Sequence, residues 1–178
     1  MANTYKEAEF YANLACGRNP YALLDEIGAI TRFCHDFEPE GLKGFATIVN
    51  GLLYCVINGN LTENDRRIIA GHEAAHLILH KQDILNSPAC TIKDFSLYDN
   101  SGKLEFEANS FLADFLMSDK DVMDIVTDPD RDFFSAAKEL QMPPPLLAFK
   151  LYSMIRRGYN LNNPALLQGG FLGRKGMW

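Results

Sequence analysis

A chain of 178 residues with 47% hydrophobic and 22% charged side chains has the composition of an ordinary globular protein, long enough for one domain with a real core or one domain plus a small appendage. Its formal net charge of −6 argues against a broad nucleic-acid-binding surface, which needs clustered positive charge. No apolar run approaches the ~20 residues of a membrane span, and the polar start Met1–Glu7 lacks the apolar stretch of a secretory signal. The expectation is a cytoplasmic protein without membrane or direct nucleic-acid partners. Cys16, Cys34, Cys55 and Cys90 are widely spaced and form no C-x-x-C pair, so they read as reduced thiols and not as a zinc cluster.

Thr4-Tyr5-Lys6-Glu7 is a capping-box pattern and predicts a helix from about Tyr5 to Cys16, stopped by Gly17. Asn19 then caps a second helix with Pro20 at its first position and Gly28 past its end. Residues 30–36 are short and β-prone, and Glu38-Pro39-Glu40-Gly41 is a turn. Asn50-Gly51 between the apolar runs 42–49 and 52–58 predicts a hairpin, because both turn residues need φ > 0. Thr62 caps the next helix, with Asp65 as its partner. Residues 81–102 read as a long loop with at most a short helical piece. Leu104, Ala108, Phe111, Leu112 and Phe115 then recur with helical period over residues 104–117. Ser118 ends that helix and caps another. Further helices are expected over about 132–140 and 145–157, the last stopped by Gly158. Beyond it periodicity is lost, and Gly169, Gly170, Gly173 and Gly176 predict a mobile tail over 159–178. No internal repeat and no linker between two folded domains is evident, so residues 1–158 are read as one domain.

The chain is organised around Arg66–His80, which contains His72-Glu73-Ala74-Ala75-His76. Residues four apart stand on one face of a helix, so His72 and His76 can point their ring nitrogens at one metal ion. Glu73 projects beside that ion and can take a proton from a water held there. Chance gives H-E-x-x-H in on the order of one per cent or less of chains this long. Two histidines on adjacent turns of an apolar helix, with a Glu between, have little structural purpose.

A catalytic zinc takes three protein ligands and keeps one position open. His80 lies one turn too far along the same helix, and His35 reads as an isolated strand histidine. The better third ligands are carboxylates of the 104–117 helix. Glu105 lies ~60° from the centre of the apolar stripe and Glu107 ~100° away on the other side, which favours Glu105 and leaves Glu107 as the alternative. Asn109, i+4 from Glu105, can support a ligating histidine. Tyr98, His80 and Tyr54 are candidate donors to a developing oxyanion.

Arg67–His80 resembles the metal helix of the ImmA/IrrE family of metallopeptidases, and Glu105-Phe106-Glu107-Ala108-Asn109-Ser110-Phe111-Leu112-Ala113-Asp114-Phe115-Leu116-Met117 resembles its second signature, E-x-E-A-N-x-F-A-x-x-L-L-M-P. The chain departs from it at Leu112, Phe115 and Ser118, none of which is a candidate ligand. The resemblance covers roughly residues 5 to 158. It implies an α+β, zincin-like metallopeptidase domain with a small antiparallel sheet packed on a mainly helical body. It also implies zinc held by His72, His76 and a Glu of the second signature, with Glu73 as base, in the stand-alone form without a DNA-binding part. Family members typically cleave a helix-turn-helix repressor and so induce a mobile element or a stress response. The function expected is therefore zinc-dependent endoproteolysis of such a repressor; the alternative is a toxin-like or partner-sequestering domain without general proteolytic activity. An extended substrate is expected to pair with the hairpin of residues 44–58.

Overall fold

The computed structural model describes residues 4–15, 17–94 and 102–161. In chain order these form α1 (Thr4–Leu14), α2 (Pro20–Glu26), β1 (Ile30–Cys34), β2 (Gly44–Val49), β3 (Leu52–Asn58), α3 (Glu63–Leu79), α4 (Lys81–Asn86), β4 (Thr91–Asp94), α5 (Lys103–Leu116), α6 (Asp119–Val126), α7 (Phe133–Glu139) and α8 (Pro144–Arg156). The chain groups into two compact units, one of residues 10–97 and one of residues 1–9 with 98–178. The expected tail falls almost wholly on residues 162–178, outside the described part.

The unit of residues 10–97 is a mixed sheet carrying α3. The strand order is β1-β3-β2-β4. Asn50 and Gly51 take φ of 52° and 80°, the left-handed pair that a two-residue hairpin with matching twist requires. The turn sets the β2–β3 register, with Val49 opposite Leu52 and Gly44 opposite Ile57. The sheet is not wholly antiparallel, as expected from the hairpin alone. β1 runs parallel to β3, Ile30 beside Tyr54 through Cys34 beside Asn58. Nor is 81–102 a plain loop: it supplies α4 and the strand β4, which pairs antiparallel with β2, Thr91 opposite Thr47. Four residues without alternation carry no period to read, and β4 exists only because β2 offers it a ladder. Consequently both hairpin strands are interior, and among the described residues the sheet edges belong to β1 and β4.

Local chemistry fixes where the helices of this unit begin. The Asn19 side chain accepts from the Tyr21 amide at 3.0 Å, with Pro20 at the first helical position. Ahead of α3, the Asn58 side-chain amide donates to the Glu38 and Leu42 carbonyls at 2.9 and 3.0 Å. Asn60 donates to the carbonyls of His35 and Phe37 at 2.9 and 2.8 Å. Thr62 then accepts from the Asp65 amide at 3.2 Å, and its hydroxyl donates to the Asp65 carboxylate at 2.7 Å. These contacts deliver α3 to the sheet in one phase.

The unit containing α5 to α8 is helical. Residues Glu107 to Leu116 of α5 are buried without a break, and Phe111 and Phe115 stack at 6.2 Å between ring centroids. Burying each such ring is worth ~1.5–3 kcal/mol. Ser118 caps α6 by accepting from the Asp121 amide at 3.1 Å, and Gly158 ends α8 with φ of 99°. The Lys150 ammonium is fully buried, 2.9 Å from Asp114 Oδ1 and 2.7 Å from Asp119 Oδ1. Ser153 donates to Asp114 at 2.6 Å and Tyr159 to Asp119 at 2.9 Å. The Arg157 guanidinium pairs with Asp119 and lies 3.6 Å over the Tyr5 ring. Burial raises the Asp114 carboxyl above its ordinary value despite these partners. Burial acts the same way on Asp119, but hydrogen bonds from Arg157, Lys150 and Tyr159 prevail and hold it well below the usual carboxylate range.

Candidate metal centre

The site is built first from α3. Ten consecutive residues, Ile68 to Leu77, are buried, so this helix has no solvent face over three turns. An i, i+4 pair on such a helix brings two rings into contact. The His72 and His76 centroids lie 4.7 Å apart, and their Nε2 atoms face each other at 3.0 Å. Both rings are almost wholly removed from solvent, His72 at 5% exposure and His76 at 0%.

Glu73 is also at 0% exposure. Its carboxylate lies against β2 where the strand has no side chain. A Cβ at Gly44 would stand 2.9 Å from Glu73 Oε1 and 2.5 Å from Ile69 Cγ2. The strand at Gly44 thus forms a cradle in which Glu73 sits. On the neighbouring strand the buried Cys55 thiol is pushed well above its usual value, by burial first and by the charge of Glu73 second.

The other residues singled out by the sequence fall as follows. Glu105 is half-buried in the first turn of α5. Glu107 is only 8% exposed, with Oε1 3.8 Å from Lys103 Nζ. The helix-phase argument placed Glu105 nearer the packed side; total burial runs the other way, because α5 is enclosed on all sides from Glu107 onward and a single stripe no longer discriminates. Within the unit of residues 10–97, His72 and His76 are a buried pair suited to a metal ion; Glu105 belongs to the other unit. His35 accepts or donates to Asn60 at 3.3 Å in the turn ahead of α3, as an isolated structural histidine does. Tyr54 is half-buried on β3, and Tyr98 lies outside the described residues. His80 is nearly buried against His76. Leu112 and Phe115 are fully buried, and Ser118 caps α6, so all three departures from the second signature concern packing or a helix end.

The buried ion cluster around Lys150 was missed by sequence reasoning. Its signal was present: a lone Lys inside Leu146–Leu151 and a lone Asp inside Phe111–Met117, each a charge within an otherwise apolar run.

An α+β fold in which a helix carrying H-E-x-x-H buries both histidines and lays its Glu against the sheet is of the zincin-like class. The chain belongs to the IrrE N-terminal-like domain family, Peptidase_M78, whose model matches residues 31–152 and so spans both α3 and α5. No curated protein matches it. No solved structure matches it either. No helix among the described residues is long and apolar enough to cross a membrane.

Proposed function

We propose that the chain is a zinc-dependent endopeptidase that hydrolyses a peptide bond in a protein partner, with His72, His76 and Glu105 holding the metal and Glu73 as general base. The observation that carries this reading is the buried imidazole pair with facing Nε2 atoms beside the buried Glu73 carboxylate. The donor set fits the ion. Two nitrogens bound to one tetrahedral zinc at ~2.0–2.1 Å stand about 3.3 Å apart, and the observed 3.0 Å is within a few tenths of that. Two imidazoles and one carboxylate also leave a fourth position open, the mark of a catalytic and not a structural site. Glu105, at the start of α5 and half-buried, suits a ligand at a site that has to admit a substrate.

When bound, zinc supplies Lewis acidity toward the scissile carbonyl and makes a neighbouring water more acidic. Glu73 takes the proton from the attacking water and later delivers it to the leaving amine. Its place next to His72 in the chain turns it off the His72–His76 face, so it serves as base and not as ligand. Among the described residues β4 is an edge strand, and its outer edge is suited to align an extended substrate by strand addition, since β4 pairs with β2 at Gly44, against which Glu73 rests.

The substrate we propose is a helix-turn-helix repressor. Its support is family resemblance, an associational warrant, and the net charge of −6, which favours a basic DNA-binding partner. The test is to offer casein, a panel of unfolded proteins and the helix-turn-helix product of the adjacent gene, with and without chelator and at rising salt. Cleavage of the repressor at one site, blocked by chelator and slowed as exposed charges are screened over ~8 Å, is expected. Rapid digestion of casein without preference defeats the substrate assignment. Tight binding of the repressor without cleavage, unaffected by chelator, favours a partner-sequestering domain instead.

A further inference from the structure

His80 is the last of three histidines spaced four apart, and geometry gives it a part separate from those of His72 and His76. α3 ends at Leu79, and His80 is the capping residue, with φ −119° and ψ 24°. Its amide donates to the His76 carbonyl at 2.9 Å, and its own carbonyl accepts from the Ile84 amide of α4 at 2.9 Å. The His80 backbone is thereby held from both helices, and the residue is 2% exposed. Its Nδ1 lies 2.9 Å from His76 Nδ1, with the ring centroids 5.1 Å apart. Both nitrogens of His76 are therefore engaged, Nε2 toward His72 and Nδ1 toward His80.

We propose that His80 is a positioning residue that fixes the tautomer and ring orientation of His76. The inference rests on His76 being a metal ligand, as argued above. A neutral imidazole that gives its Nε2 lone pair to a metal carries its proton on Nδ1. His76 Nδ1–H then donates to His80 Nδ1, and the remaining proton of His80 sits on its Nε2. An acceptor at this place does for His76 what a carboxylate or backbone carbonyl does for other zinc-bound histidines: it holds the ring in the plane of the ion and raises its basicity. With Nδ1 accepting from His76, His80 can donate only through Nε2–H.

Two substitutions separate this role from simple packing or capping. His80→Asn places an amide oxygen near the position of Nδ1 and keeps the acceptor; His80→Leu keeps an apolar filling of similar size and removes it. Zinc affinity is read by competition with a chromogenic chelator, and site geometry by the visible spectrum of the cobalt-substituted protein. His80→Leu is expected to weaken zinc binding ~10–100-fold and to alter the cobalt spectrum, while His80→Asn stays within about a few-fold of the parent. Long-range nitrogen–proton correlation spectra of the zinc-loaded parent provide a check that needs no variant, and should show His76 protonated at Nδ1. Parent-like zinc binding by His80→Leu, equal loss in both variants, or a His76 proton on Nε2 would each overturn the assignment. A parent protein that takes up no zinc sinks the metallopeptidase reading together with it, whereas a parent that binds zinc while His80→Leu is unaffected sinks the role of His80 alone.

Discussion

The sheet approaches Glu73 closely at Gly44, and adding one methyl group there tests whether β2 sets the position of the proposed base. In Gly44→Ala the new Cβ would lie 2.5 Å from Ile69 Cγ2, 2.9 Å from Glu73 Oε1 and 3.0 Å from the Val56 carbonyl oxygen. Carbon atoms in contact prefer about 3.5–4.0 Å, so Ile69 has to withdraw by roughly 1 Å or more. It has little room, being 1% exposed. The Val56 carbonyl belongs to the β2–β3 ladder, where Phe45 pairs with Val56, and cannot yield without loosening it. The Glu73 carboxylate is the remaining group able to move. Overpacking of this kind costs ~1–3 kcal/mol, and at ~2–4 °C per kcal/mol for a chain of this size the melting temperature should fall by about 2–12 °C. Displacing a catalytic group by ~1 Å costs on the order of 100-fold in rate. The expected outcome is a folded, less stable protein that retains its zinc and loses roughly one to two orders of magnitude in kcat/KM. Calorimetry, metal analysis and cleavage of the partner protein read the three quantities separately. A Gly44→Ala protein with unchanged melting temperature and unchanged cleavage would refute the claim that β2 cradles the base.

Glu73→Gln should keep zinc and thermal stability and lose proteolysis; a Gln variant that still cleaves rules Glu73 out as the base, and one that loses zinc makes it a metal-holding residue. Glu105→Ala should lower zinc affinity strongly while Glu107→Ala retains it, read by chelator competition; the reverse moves the third ligand to Glu107. Lys150→Met leaves Asp114 and Asp119 without their buried cation and should cost ~3–5 kcal/mol, measured by denaturant unfolding; parent-like stability would contradict the burial of the pair. Asp119 is held below its ordinary value near ~3.9, so its stabilisation is complete above that pH and disappears as pH falls through the lower folded-state value. The melting temperature of the parent should therefore drop more steeply below pH ~4 than that of Asp119→Asn, and identical acid profiles would show that the Arg157, Lys150 and Tyr159 contacts do not act on it.

What the chain alone determined is local. The caps Asn19, Thr62 and Ser118, the Asn50-Gly51 turn and the terminator Gly158 each work through their own backbone neighbours, so residue identity suffices to place them. The same holds for His72 and His76, because i, i+4 spacing is a property of one helix. Tertiary structure decided whatever depends on a second, distant segment. β4 has no signal of its own and becomes a strand only beside β2, and the direction of β1 is set by its register on β3. Helical phase alone could not rank the burial of Glu105 and Glu107, since α5 is enclosed on every side beyond its first turn. Lys150 reads as a misplaced charge until Asp114 and Asp119 are found around it. Gly44 reads as an ordinary strand glycine until α3 is laid across it. Periodicity records which face an element turns inward, but not what meets that face, and the position of Glu73 at Gly44 and the engagement of His76 by His80 both depend on what meets it.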